Sequence, residues 1–494
     1  MTQALETART TANLRRVVID PLSRVEGHGK VTLLLDDENH VEQACLHIVE
    51  FRGFEKFVQG RPYWEVPMLV QRLCGICPVS HHLAASKAMD MIVGATVLTP
   101  TAERMRRLLH YGQILQSHAL HFFHLCSPDL LFGFGANPKD RNIVAVAAAY
   151  PDIARKGILL RKYGQEVIRV TSGKRVHGSC AVPGGVNKHL TLAERDYLLE
   201  DVEQTVAWAR EAVLLVKRLY MERRDVYNGF GAFRSSFLSL VRNDGALDFY
   251  HGGLRARDER GATIFDHAGY ENYWDYIFEE TKSWSYMKFP YFTTLGPERG
   301  WYRVGPLARL NNCDFIPTPE ADAERIAFKA FDGGNATQAN LAYHWARMIE
   351  MLHAAESLRE LLRDPALLAG ELRVEGTGAL RGVGVIEAPR GTLIHHYRVD
   401  ENDLIVRANL IVSTTHNNQA MNEAVRRVAL QYLDGVEVTE ALLNHIEVAI
   451  RAYDPCLSCA THALGQMPLE VEIVDVEGRR VDALVRDADG TLRR

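Results

Sequence analysis

The sequence predicts a mainly α-helical chain with small peripheral β-sheets, an α+β fold with a helical-bundle core. Three observations carry this. Apolar residues recur at three-and-four spacing over long stretches in the middle of the chain. β-Branched runs divided by turn clusters lie towards both ends, at 17–51 and 371–415. Residues 225–335 are rich in glycine, proline and aromatic side chains, which reads as long loops and short strands laid over the helices.

In chain order, "VVIDPLSRVEGHGKVTLLLDDENHVEQACLHIVEF" from residue 17 is split by Asp36-Asp37-Glu38-Asn39, which predicts a hairpin or small sheet, with Glu26 in a tight segment before the first long strand. Helical spacing runs from Val66 to Val93, but Gly75 and Pro78 place the helix start just after Cys77. Cys74 and Cys77 then lie at a helix N-terminus, where free N–H groups and a partial positive charge favour thiolates. Further helical patterns cover 101–126, 151–170, 191–224 and 336–363. From 371 to 415 strands are expected, turning at Gly391 and at Glu401-Asn402-Asp403, and "LEVEIVDVEGRRVDALV" near the end reads as a hairpin turning at Glu477-Gly478.

With 494 residues, 47% of them hydrophobic, the chain can bury a large core. A net charge of −5 and 24% charged residues indicate neither a nucleic-acid footprint nor a polybasic membrane patch. The first twenty residues hold no apolar signal-peptide core and no run of 18 apolar residues occurs, so neither an export signal nor a membrane span is expected and a cytoplasmic location is. Eight cysteines in so long a chain are not a disulfide framework; Cys45, Cys126, Cys180 and Cys313 stand alone and read as buried small hydrophobes.

The other four form two Cys-x-x-C pairs, Cys74/Cys77 and Cys456/Cys459. Four thiolates select zinc, iron–sulfur or another soft or borderline metal. A structural zinc site is the plain alternative, but such sites close over short intervals, whereas only the whole fold can join these pairs; that suggests an active-site core. His110, His118, His121 and His124 lack an acidic partner at matching helical spacing and read as core histidines. Asp129, just beyond them, reads as a cap or a supporting carboxylate. Gly376, Gly378 and Gly382 have the wrong spacing for a dinucleotide fingerprint and read as turns between strands; no phosphate loop of the Walker type occurs.

Over nearly its whole length the chain resembles the large, catalytic subunit of nickel–iron hydrogenases. The resemblance rests on "SRVEGHGKV" from 23, "FRGFEKFVQGRPYWEVPMLVQRLCGICPVSHH" from 51, "GKRVHGSCAVPGGV" from 173, "VGPLAR" from 304, "EAPRG" from 387 and "DPCLSCATH" from 454. "CGICPVSHH" and "DPCLSCATHALGQMPL" look most like the cytoplasmic, bidirectional, NAD-reducing branch, although related cytoplasmic branches share the first form. The resemblance implies a nickel held terminally by Cys74 and Cys456 and joined through Cys77 and Cys459 to an iron carrying two cyanides and one carbon monoxide. Hydrogen would split there heterolytically, its proton passing to Cys456 and on to Glu26. Arg390 would stand over the open side of the metals. Pro389 and Thr414 would surround the cyanides, serine being a common alternative to the threonine. Asp454 and Asp129 would be supporting carboxylates, and His81 would bond a bridging sulfur. Glu55 and His462 match the family's magnesium site.

The resemblance further implies a single catalytic domain over 1–462 and a maturation extension over 463–494, cut after His462 by an endopeptidase once nickel-insertion proteins have loaded the metals. A strand pair attached there is expected to hold Cys456 and Cys459 away from closure. No cysteine set remains for an iron–sulfur cluster, so the expected partners are a small subunit carrying one, facing "GKRVHGSCAVPGGV", and a diaphorase with FMN that meets NAD. The alternatives are a branch with another electron acceptor, a nickel-free quinone-site subunit of the complex I type, which the retained four cysteines oppose, and a zinc-stabilised assembly protein.

Overall fold

The computed structural model describes residues 14–282, 284–462, 469–474, 480–486 and 492–493. At its centre the helix Pro100–Leu120 starts where the Thr99 hydroxyl accepts the Ala102 N–H at 3.1 Å. It runs against Pro151–Ser172 and Ala342–Leu361, and Leu192–Glu222, opened by a capping box of Thr191 and Glu194, packs on both of those. The first two helices come close because Gly112 faces Gly164: a Cβ on Gly164 would stand 2.7 Å from the Gly112 carbonyl oxygen. Ala342–Leu361 is buried almost all round, so its charged side chains must be paired inside. Arg309 does this, reaching Glu350 at 2.6 Å and Glu387 at 2.8 Å.

Small sheets surround these helices. Arg15–Ile19, Gly29–Leu35 and Val41–Ile48 form an antiparallel sheet in that order, turning at residues 36–40, and the helix Asn418–Tyr432 packs on its third strand. Arg381–Ala388, Gly391–Val399 and Ile405–Ile411 form the antiparallel sheet expected at 371–415. Its first strand lies directly on the helix Pro78–Ile92. Gly382 is therefore not a turn residue, as its sequence context suggested, but a strand residue at a close approach. A Cβ on Gly382 or Gly384 would stand 2.0 Å from the carbonyl oxygen of Ala88 or Ala84.

Residues 225–335 hold more regular structure than loops and short strands. Ser236–Val241, Gly253–Arg257 and Thr263–Ala268 form a sheet joined in parallel by Tyr302–Arg303, and Ile277–Lys282 pairs with Ser285–Phe292. Pro306–Asn312 and Pro319–Phe331 are helices, each begun by a proline whose missing N–H would have had no helical partner. The helix read from 336 begins at Ala342. Glu440–Ala452 packs on Asn418–Tyr432 and delivers the chain to Cys456.

One hydrophobic cluster runs from Leu22 to Ala460. Beyond it Leu469–Val474 pairs antiparallel with Arg480–Arg486, the hairpin expected there; the turn at Glu477-Gly478 lies outside the described residues. Among the described residues no helix is long and apolar enough to cross a membrane.

The strand-on-helix contact yields a test. Gly384→Val drives side-chain carbons into the Ala84 carbonyl and should lower stability by about 1–3 kcal/mol, seen as a lower unfolding temperature. An unchanged temperature would show that the helix moves aside freely.

Candidate metal centre

Cys74 is extended at the end of a short 3-10 turn, and Cys77 is the residue from which the helix Pro78–Ile92 starts. The loop between them folds back so that the N–H groups of Ile76 and Cys77 donate to the Cys74 sulfur at 3.2 and 3.1 Å. At the other end of the chain, Asp454 takes a positive φ of 55° just past the helix Glu440–Ala452, and the chain then passes beside Glu26. A single parallel bridge joins Glu26 to Cys456, with the Leu457 N–H donating to the Glu26 carbonyl at 3.0 Å. The Thr414 hydroxyl accepts the Cys456 N–H at 2.9 Å.

The two pairs meet. Cys74 and Cys456 Sγ are 3.3 Å apart, Cys77 and Cys459 Sγ 3.9 Å, and all four sulfurs lie within 4.8 Å of one another in the interior. A metal–sulfur length near 2.3 Å places tetrahedrally arranged sulfurs about 3.8 Å apart, so the spacing suits metal coordination. Charge leads to the same place. Hydrogen bonds from Cys456, Cys459 and Cys74 hold the Cys77 thiol low, whereas burial pushes Cys456 and Cys459 well up. A cation is what allows four thiolates to share this volume. The strands Leu469–Val474 and Arg480–Arg486 pair with each other while the four sulfurs lie together.

Around the sulfurs, Cys456 Sγ donates to Glu26 Oε2 at 2.9 Å. The Ser458 hydroxyl holds the other carboxylate oxygen, and its N–H reaches Oε2 at 3.3 Å. Gly27 permits this approach: at φ 84°, a Cβ there would stand 2.6 Å from Ser458 N. Arg390 is buried; burial alone would lower its pKa, but Asp454 and the sulfurs of Cys456, Cys77 and Cys74 hold it well above the ordinary arginine value. It donates to Asp454 Oδ1 at 2.9 Å and to the Ser117 hydroxyl at 3.4 Å. Burial pushes Asp454 up to about 6 despite that partner. Pro389 offers its carbonyl to Arg309 at 3.2 Å. His81, which helps hold the Cys77 thiol low, heads a buried string, His395 at 3.1 Å and then the Tyr397 hydroxyl at 2.7 Å.

Glu55 and His462 lie on neighbouring segments tied by the Arg52 N–H donating to the Thr461 carbonyl at 3.1 Å. Burial pushes Glu55 up to about 7; its sole hydrogen bond among the described residues is from the Leu410 N–H at 2.8 Å. Burial also drives His462 down to about 3, leaving a neutral ring whose Nδ1 has no partner among the described residues. A buried carboxyl and an imidazole nitrogen without a protein partner are donors of the kind a cation takes up. Asp129 belongs elsewhere: it binds Arg24 at 2.6 Å, Arg451 at 3.0 Å and Asn444 at 3.2 Å. Through Arg24 it holds the loop that carries Glu26, not a metal ligand.

Ser117, Ser458, His395 and Tyr397 escaped the sequence reading. Ser117 precedes His118 in the histidine-rich helix, and no spacing rule marks a lone hydroxyl. Three of the histidines in and just after that helix are core residues: His110 bonds backbone carbonyls, His118 bonds Glu350 at 3.1 Å and His121 the Arg451 carbonyl at 2.7 Å. His121, Cys126 and His344 converge as a second group within 4.8 Å. Burial, with Arg347 beside it, drives His121 well down, and burial pushes Cys126 up to about 12, so this group is neutral and faces a guanidinium, which disfavours a cation.

Residues 52–132 and 239–462 match a family described as nickel-dependent hydrogenase, and residues 16–51 one described as HoxL-like. NAD-reducing hydrogenase HoxS subunit beta of Cupriavidus necator is 50% identical over 491 residues, covering 96% of this chain and 100% of that protein. An F420-non-reducing hydrogenase chain of Methanothermobacter marburgensis is 42% identical over 471 residues, covering 94% of this chain and 98% of that one. A crystal structure of an NAD+-reducing [NiFe]-hydrogenase in the H2-reduced state has a TM-score of 0.90 at 58% identity, covering 91% of this chain and 100% of that one. The Ni-Fe-Se hydrogenase of D. vulgaris Hildenborough shares the fold at a TM-score of 0.72 and 23% identity, covering 91% of this chain and 100% of that one.

If the four sulfurs hold the metal, Cys77→Ser should reduce transition metal per chain at least about tenfold, read by elemental analysis. Full metal content in a folded variant would remove Cys77 from the ligand set.

Proposed function

The chain belongs to the nickel-dependent hydrogenase family, as the catalytic subunit of a nickel–iron hydrogenase, and from that premise we propose how its own residues carry the reversible splitting of hydrogen in an enzyme that reduces NAD+. The observation that supports the site most is the meeting of four buried sulfurs with one carboxylate on a sulfur and one guanidinium beside them. Cys74 and Cys456 would hold nickel terminally, and Cys77 and Cys459 would share their sulfurs with iron. Thr414, Pro389 and Arg390 would enclose two cyanides and one carbon monoxide on that iron. When bound, the pair of metals supplies the Lewis acidity that polarises and splits hydrogen.

The protein moves the proton. Cys456 Sγ is placed to accept it, and Glu26 Oε2, 2.9 Å away, is within direct transfer distance. The Ser458 hydroxyl fixes the second oxygen of Glu26, so the acceptor faces the sulfur without side-chain rearrangement. Arg390, clamped by Asp454 and Ser117, presents a fixed cation in a buried site, where such a charge acts at greatest strength. His81 would orient the Cys77 sulfur, and the His395–Tyr397 string holds that histidine in turn.

Glu55 and His462 would hold magnesium, an oxygen-preferring cation for which the imidazole is the unusual ligand. Residues 1–462 would form the catalytic domain and 463–494 an extension removed after His462 by a maturation endopeptidase once nickel-insertion proteins have acted; the family match, which ends at residue 462, supports this division. Electrons would leave through an iron–sulfur small subunit to a diaphorase carrying FMN, where NAD+ is reduced, all in the cytoplasm. The segment 173–186, in which the His177 ring bonds the Cys74 carbonyl at 3.1 Å, links the chain's surface to the first cysteine pair and would face the small subunit.

Glu26→Gln should lower hydrogen turnover by at least about 10²-fold with nickel content unchanged. Turnover at the level of the unaltered enzyme would take Glu26 off the proton path. Arg390→Lys keeps the charge but loses the two-point hold on the carbonyl and Oδ1 of Asp454, and kcat should fall about 10²-fold or more. An unaltered kcat would mean that the guanidinium geometry is not used.

A further inference from the structure

The sheet that supports the helix Pro78–Ile92 carries an electrostatic conflict on one face. Arg381 lies directly opposite Arg398, and Arg398 directly opposite Arg407, so three arginines form one row across three strands. Like charges in direct cross-strand register destabilise a sheet. Among the described residues none of the three has an ion-pair partner; Arg381 instead lies 4.9 Å from the centre of the Trp274 ring. Burial and the charges of Arg381, Arg407 and Arg398 push His396, on the same face, down to about 4, so it adds no charge to the row.

The row borders a cleft of about 790 Å³ lined also by Tyr273, Trp274, Ile277, Phe278 and Glu279, in which one face of Trp274 stacks on His396 at 5.4 Å between ring centres and the other is left for a ligand. Trp274 and Phe278 remain 37% and 55% exposed there. The lining carboxylate Glu279 is paired with Lys288 at 3.2 Å. The arginine charge therefore faces open space beside an aromatic surface. Strands about 4.8 Å apart spread three arginines over about 10 Å, the reach of a di- or triphosphate rather than of one carboxylate. The volume falls within the ordinary range for small-ligand sites.

We propose that this cleft binds a nucleotide, its phosphates on the Arg381–Arg398–Arg407 row and its base on Trp274. The site does not depend on the reading of the metal centre. The test is calorimetric titration of ADP and of inorganic pyrophosphate into the assembled enzyme at low salt. The unaltered enzyme should bind both. Arg398→Glu should weaken both at least about tenfold, and Trp274→Ala should weaken ADP at least about fivefold while leaving pyrophosphate unchanged. Hydrogen turnover with an artificial acceptor should stay intact in both variants and shows that they are folded. Without ligand, Arg398→Gln should raise the unfolding temperature by about a degree, because it relieves the repulsion.

Absence of binding, or a number of ADP and pyrophosphate molecules bound per enzyme that Arg398→Glu leaves unchanged, would overturn the proposal; a nucleotide site on the diaphorase is retained in that variant and counted separately. So would ADP binding indifferent to Trp274→Ala, or an unfolding temperature lowered by Arg398→Gln. Dissociation of the assembled enzyme in Arg398→Glu, with no nucleotide binding before the substitution, would overturn it in favour of an acidic partner segment lying on the row.

Discussion

Sulfur atoms of residues 382 positions apart approach to 3.3 and 3.9 Å in the protein interior, and much of the surrounding fold holds that approach. Thiolates so close repel one another, and thiols so buried resist ionisation, a balance that a cation held by the four sulfurs shifts towards the thiolates. What keeps the pairs together is backbone structure around them. Cys77 starts a helix pressed onto a glycine-bearing strand, and Cys456 is bonded to Glu26 on one side and Thr414 on the other.

The buried ion pairs make sense in the same terms. Arg309 binds Glu350 and Glu387 and also the carbonyls of Ala388 and Pro389, at 2.9 and 3.2 Å. It thereby fixes the turn that presents Arg390. A buried pair of this kind contributes little net stability compared with apolar packing, while removal of one partner costs about 3–5 kcal/mol. Its value here is position: the turn cannot shift without leaving a charge unpaired in the interior. Asp129 acts similarly at a distance, holding through Arg24 the loop of Glu26.

The sequence made the helical core and the two outer sheets legible because long apolar periodicities and β-branched runs report burial directly. The cysteine pairs were legible because thiolate chemistry permits few other uses of such spacing. Other features lack a local signal. The strand role of Gly382 follows from the helix beneath it, and the helix Pro319–Phe331 buries only Ala321 and Phe328 fully, too few to stand out amid aromatic loops. Ser117 and the His395–Tyr397 string gain meaning from Arg390 and His81, which lie far away in sequence. Cross-strand register, invisible before the pairing is known, is what sets Arg381, Arg398 and Arg407 in one row.

The most direct test of the central claim is X-ray absorption at the nickel edge of the assembled enzyme. The account predicts about four sulfur neighbours near 2.3 Å and an iron in the next shell. Nickel surrounded by nitrogen and oxygen, or zinc in place of nickel in a fully matured preparation, would contradict it and return the four cysteines to a structural role.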